Sequence, residues 1–291
     1  MGKAPSAGCA LACFILGSTC GCFTARPAIP PRPADAISGS TFLSEVAGLS
    51  VEERDARVYQ EITRGNVPEF LRTVVPVRVS AGGHRGRLYV LPDYLGVGSD
   101  EDFVRMPMMP ATAEAIAERF GCVLPTRKMV DDIYAQAAVK LEPSPFSPKE
   151  YDITSVDVFR LSQERIEEQR AGRRPGLLVA GIKKDVVVTL QLAGRPGKVA
   201  IYGWHKPDGK PIQPLYLGHT ARWVDYSHGI RLVAGMMEVD GAPARVLDVL
   251  RDPELCGLIS DEGAFEYPRY TLPSSMPAPG RVSRTGDSGE K

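Results

Sequence analysis

Apolar and polar positions recur with two different periods along this chain, and the period changes past its middle. Between residues 50 and 170 the spacing is mainly helical. Ser50 with Glu53 makes a capping box for a helix running to about Arg64. "MPATAEAIAERFG" is a helix that Gly121 stops. In "PTRKMVDDIYAQA", Met129, Ile133 and Ala137 share one side and are read as core, with Thr126 as N-cap. Thr154 and Asp157 are placed to cap a further helix from about Ser155 to Arg170, whose charged C-terminal part belongs on the surface. One hairpin interrupts this half. Val75, Val77 and Val79 alternate with Pro76, Arg78 and Ser80, and "AGGHRG" makes the turn, with His84 exposed in it.

Beyond this the runs become short and β-rich: "GLLVAG", "DVVVTLQL", "KVAIYGWH", "IQPLYLG" and "GIRLVAGMMEVDG". "PDGK" is a turn joining "KVAIYGWH" to "KPIQPLYL" as a hairpin. "ARVLDVLRDPELCGLI" closes with one or two short helices. Helices precede strands without regular βαβ alternation. The expected class is therefore α+β, an N-terminal helical half followed by a mainly antiparallel β half with short C-terminal helices.

The two ends read differently. The first residues carry one cation, Lys3, then an uncharged stretch from Pro5 to Ala25 and a Pro-rich run. Residues 1–37 thus read as a signal peptide or lipoprotein leader plus linker, and imply a secreted or cell-envelope protein, possible lipid anchoring included. Cys20 and Cys22 sit about where a lipidated cysteine would fall, although Thr19 stands where Leu is usual. "MGKAPS" also fits the short myristoylation pattern. Contact with a membrane is expected only through this leader or a lipid. Residues 38–272 read as one α+β domain and 273–291, small and polar, as a disordered tail.

Composition narrows the function classes. Lys plus Arg and Asp plus Glu both number 35, so the net charge is zero. Nucleic acid is not expected as the main partner, because phosphate binding usually needs a basic surplus. The body holds two cysteines, Cys122 and Cys256, which form either one disulfide or two buried thiols. No CxxC pair lies in the body, which excludes a cysteine zinc ribbon there.

Candidate chemistry concentrates between Gly203 and Gly229, "GWHKPDGKPIQPLYLGHTARWVDYSHG". Three of the 4 histidines (His205, His219, His228) and both tryptophans fall in it. Three chemistries are open. His219, Asp225 and His228 have the ligand types of a divalent metal such as zinc, with His205 able to substitute for one, yet the spacing matches no metal signature. Ser227 could act as nucleophile with His219 or His205 as base and Asp225 or Asp185 orienting it. Ser227 and His228 would not pair, because neighbours on a strand face opposite ways. Metal-free acid/base or binding chemistry is the third reading. Aromatic rings beside the histidines suit sugar rings, and one of Lys183 and Lys184, with Asp185 beside them, could hold an anionic group if that loop lies at the same rim. A plain turn explains Asp225, Ser227 and Gly229 without any function. It explains the crowding of histidines and tryptophans less well.

The expectation is an exported hydrolase acting on an extracellular or envelope polymer, a glycan or peptidoglycan. Its site would be built from His205, His219, Asp225 and His228, with Ser227, Lys183 and Asp185 as second choices. The rival is a non-catalytic exported binding module or envelope structural protein. Convergence of at least two of the imidazoles of His205, His219 and His228 with a carboxylate in one open cleft decides between a site and none.

Overall fold

A computed structural model of the chain describes residues 26–270. The leader proper, residues 1–25, and the tail lie outside the described residues. The fold is α+β, with mostly antiparallel sheets and helices mainly in the first half.

The caps work as their side chains dictate. Helix Val51–Thr63 starts at Ser50, whose hydroxyl accepts from Glu53 N while the Glu53 carboxylate accepts from Ser50 N. Thr126 caps Arg127–Gln136 by accepting from Met129 N. Gly121, with φ +69°, follows Pro110–Arg119 as its stop. The helix Val156–Arg170 departs from expectation at its cap, which is Ser155. Thr154 is taken by an Asx turn, its amide and hydroxyl both donating to Asp152 Oδ1. A helix not expected from the sequence, Gly39–Val46, is short and buries Phe42, Leu43 and Val46.

The hairpin Val75–Ala81 with His84–Val90 forms as expected, and Val77 and Val79 are buried. It belongs to a six-stranded sheet shared with Cys122–Val123, Val233–Ala234, Met236–Val239 and Ala242–Arg245. The two halves of the sequence are therefore woven into one sheet. The Pro-rich run after Arg26 is packed on this body rather than hanging free. Arg32 donates to Asn66 Oδ1 and to the carbonyls of Gly98, Ala36 and Ile37, and Arg72 donates to Pro30 O.

A four-stranded sheet carries the candidate site. Its order is Pro211–Tyr216, Ile201–His205, Lys184–Val186, His228–Gly229, and the last pair is parallel. The expected strand "DVVVTLQL" ends at Val186. Val188 N turns to Pro125 O, and a 3₁₀ turn Leu190–Gly194 follows, started by the Thr189 hydroxyl. Cys122 and Cys256 are both buried and free, so no disulfide joins them. No helix among the described residues is long and apolar enough to cross a membrane.

Candidate functional site

The turn before the strand His228–Gly229 is built by one carboxylate. Asp225 Oδ1 accepts from Ser227 N at 2.8 Å and from the Ser227 hydroxyl, and Asp225 Oδ2 accepts from Trp223 Nε1 at 3.0 Å. This is an Asx turn, so the turn reading of "DYSHG" holds for Asp225 and Ser227. Ser227 gives its proton directly to Asp225, and no histidine stands between them. That arrangement does not prepare Ser227 as a nucleophile. Gly229 has a different reason from turn flexibility. A Cβ there would lie 2.5 Å from Tyr94 Cδ1 and 2.7 Å from Lys183 Cβ, so only glycine lets these side chains close in.

The turn delivers His228 beside Asp225. His228 Nε2 is 3.6 Å from Asp225 Oδ2, and neither ring nitrogen has a hydrogen-bond partner. The residue is only 1% exposed. Burial pushes His228 down to about 4, against the pull of Asp225, so the ring is neutral at neutral pH. Burial alone would raise Asp225. The charge of His228, the Ser227 hydrogen bond, Lys184 and Trp223 outweigh it and hold the carboxyl down at about 2.

Lys184 and Trp204 complete this side. Lys184 is the register partner of His228, so both side chains leave the same face of the sheet. The Lys184 ammonium lies 5.2 Å from the Trp204 ring centroid. Burial lowers the Lys184 pKa, opposed by Asp225. Trp204 is costly twice over: its φ is +57° and its buried indole N–H has no partner. A bulky residue at positive φ is a true outlier, and such strain concentrates at functional sites. Lys183 is buried deeper. Its ammonium donates to Tyr226 O and, at 3.3 Å, to Ser162 Oγ. Burial, with Arg105 adding to it, pushes Lys183 down to about 7.

Aromatic rings lie outside this centre. His219 stacks on Trp223 with centroids 5.0 Å apart and planes at 9°, and Tyr216 meets His219 edge-on at 5.2 Å. Trp223 is 37% and Tyr216 43% exposed. Gly218 makes room for the row, since a Cβ there would collide with the Tyr216 ring. Burial lowers the pKa of His219, opposed by Asp225.

His205 does not join the group. Gly203 (φ +109°) and Trp204 (φ +57°) are both left-handed, and a Cβ on Gly203 would lie 3.5 Å from the His205 ring. The kink sends Trp204 toward Lys184 and leaves His205 beside Tyr202, with rings 5.9 Å apart. His205 Nε2 sits 2.9 Å from Asp131 Oδ1, and the ring stacks on Tyr134 at 4.4 Å. Asp185 shares that second environment, being register partner of Tyr202 and accepting from the Tyr94 hydroxyl at 2.9 Å. Burial pushes Asp185 up to about 6, against Arg231. The structure thus unites His219, Asp225, Ser227 and His228 with Lys184, sets Lys183 beneath them, and separates His205 and Asp185. Asp131 was missed, since nothing in "VDDIY" marks which carboxylate meets a histidine 74 residues away.

The donor set is poor for a metal. Both Asp225 oxygens already accept hydrogen bonds, and Lys184 adds positive charge beside them. Among the described residues no group of three or more His, Cys, Asp or Glu side chains is arranged to hold a metal ion. Comparison with protein families, with curated proteins and with solved structures finds no match.

Proposed function

We propose that this protein is an exported hydrolase of acyl linkages, esters or amides, on an extracellular or envelope glycan or peptidoglycan, and that it works without a metal. One observation carries the reading: a buried, neutral His228 with both nitrogens unpartnered, 3.6 Å from an ionised carboxylate. Buried polar groups are normally satisfied, so an orphaned imidazole points to a ligand or water that completes it.

His228 is the general base that takes a proton from water, and Asp225 stabilises the imidazolium that forms. The Lys184 ammonium and the free Trp204 N–H supply positive charge and a donor for a developing oxyanion. This set suits acyl transfer better than glycosidic cleavage, which calls on two flanking carboxylates. Tyr216, His219 and Trp223 are the platform for sugar rings. His228 is only 1% exposed, so access to it requires the chain around it to move aside.

Such burial also favours a second reading, a non-catalytic glycan-binding module that uses only the exposed aromatic row. Incubation with acylated glycans and peptidoglycan separates the two. Release of free acid or new amino groups supports the hydrolase. Retention on the polymer with no release supports the module. Export rests on the leader's sequence, and is contradicted if protein from its native cell is cytosolic and begins at Met1 or Gly2.

A further inference from the structure

A cavity of about 390 Å³ lies between the helix Pro110–Arg119 and the segment where the strand Ala242–Arg245 meets the helix Val246–Arg251. None of the His228 group lines it. Its walls include Met236 and Leu247, with two acids, Glu114 and Glu118, and two bases, Arg245 and Arg269. Its volume falls within the range of small-molecule sites.

Two groups in it are unfinished. Glu114 is 6% exposed, and its Oε2 accepts from Tyr270 N at 3.0 Å. Its Oε1 has no hydrogen-bond partner among the described residues. The nearest cation is Arg269, whose Nη1 stays 3.8 Å away while contacting Glu118 more closely. Burial raises the Glu114 pKa, as expected of a carboxylate short of donors. Arg245, exposed at the rim, has neither a hydrogen bond nor an ion pair for its guanidinium among the described residues.

We propose that this cavity binds a zwitterionic amino acid with an apolar side chain. Its ammonium donates to Glu114 Oε1, its carboxylate pairs with Arg245, and its side chain lies against Met236 and Leu247. A plain amine would leave Arg245 unmatched, and a plain carboxylate would leave Glu114 orphaned. A neutral apolar ligand would leave the buried Glu114 Oε1 without a donor.

Calorimetric titration of the full chain with L-norleucine, hexylamine and hexanoate tests this. Norleucine is expected to bind saturably at millimolar concentrations, and loss of either charge to weaken binding by about tenfold or more. Glu114→Gln and Arg245→Gln should each weaken norleucine to a similar degree. The exposed Arg245→Gln keeps the test meaningful if Glu114→Gln proves unstable. Absence of saturable norleucine binding, or norleucine affinity unchanged in Arg245→Gln, overturns the assignment.

Discussion

His228 lies 3.6 Å from Asp225 through Nε2, yet neither of its ring nitrogens makes a hydrogen bond. Asp225 is fully engaged with Ser227 and Trp223, so it fixes where the imidazole sits without satisfying it. An orphaned buried polar group costs about 1–3 kcal/mol, which makes the pair a stability defect unless something else binds there.

The first consequence is a pH dependence with a definite sign. His228 sits at about 4 against an ordinary 6.5, so the unfolded chain takes up a proton that the folded one refuses. Stability is full above about 6.5 and declines as the pH falls toward 4, by roughly 3 kcal/mol in total. Protonation of Asp225 extends the loss toward pH 2. Urea unfolding midpoints should show this decline in the native chain and a flatter profile between pH 6.5 and 4 in His228→Gln. Equal slopes in both would remove His228 from the acid transition.

Lys183 acts at the other end of the scale. Its pKa of about 7 against an ordinary 10.5 means that folding excludes its proton, so stability climbs as the pH rises from 7 toward 10.5. Lys183→Met should abolish most of that climb. An unaltered alkaline profile in this variant contradicts a neutral buried Lys183.

Trp204 should separate stability from function. Trp204→Phe keeps a ring beside Lys184 and deletes the unpaired N–H. Thermal stability is expected to hold or to rise by about 1 kcal/mol, while turnover of the polymer falls. A fall in stability with turnover intact would make the indole N–H a structural donor.

Tyr216→Ala tests the aromatic row. The ring is exposed and its loss should leave unfolding unchanged, while affinity for the polymer drops by about 1 kcal/mol or more. Unchanged retention on the polymer argues against the platform.

Much of this was legible in the sequence where physics is local. The Ser50–Glu53 box, the Thr126 cap, the Gly121 stop and the alternating valines of the hairpin follow from short-range rules, and each is found. The turn at Asp225 was legible for the same reason. That His205 meets Asp131 rather than His219 or His228 follows from packing against a distant helix, and two consecutive left-handed residues, Gly203 and Trp204, precede it. That Trp204 adopts such a conformation is a property of its surroundings, not of its own preference. Asp131 and the deep placement of Lys183 depend on contacts between distant segments, which no local pattern carries.

The most direct test is turnover by His228→Gln on acylated glycan or peptidoglycan, measured as acid or amine released, beside its melting temperature. The native chain should release product, and the variant should stay folded while its rate falls by about a hundredfold or more, the usual contribution of a general base. Undiminished release by the folded variant would contradict the role given to His228.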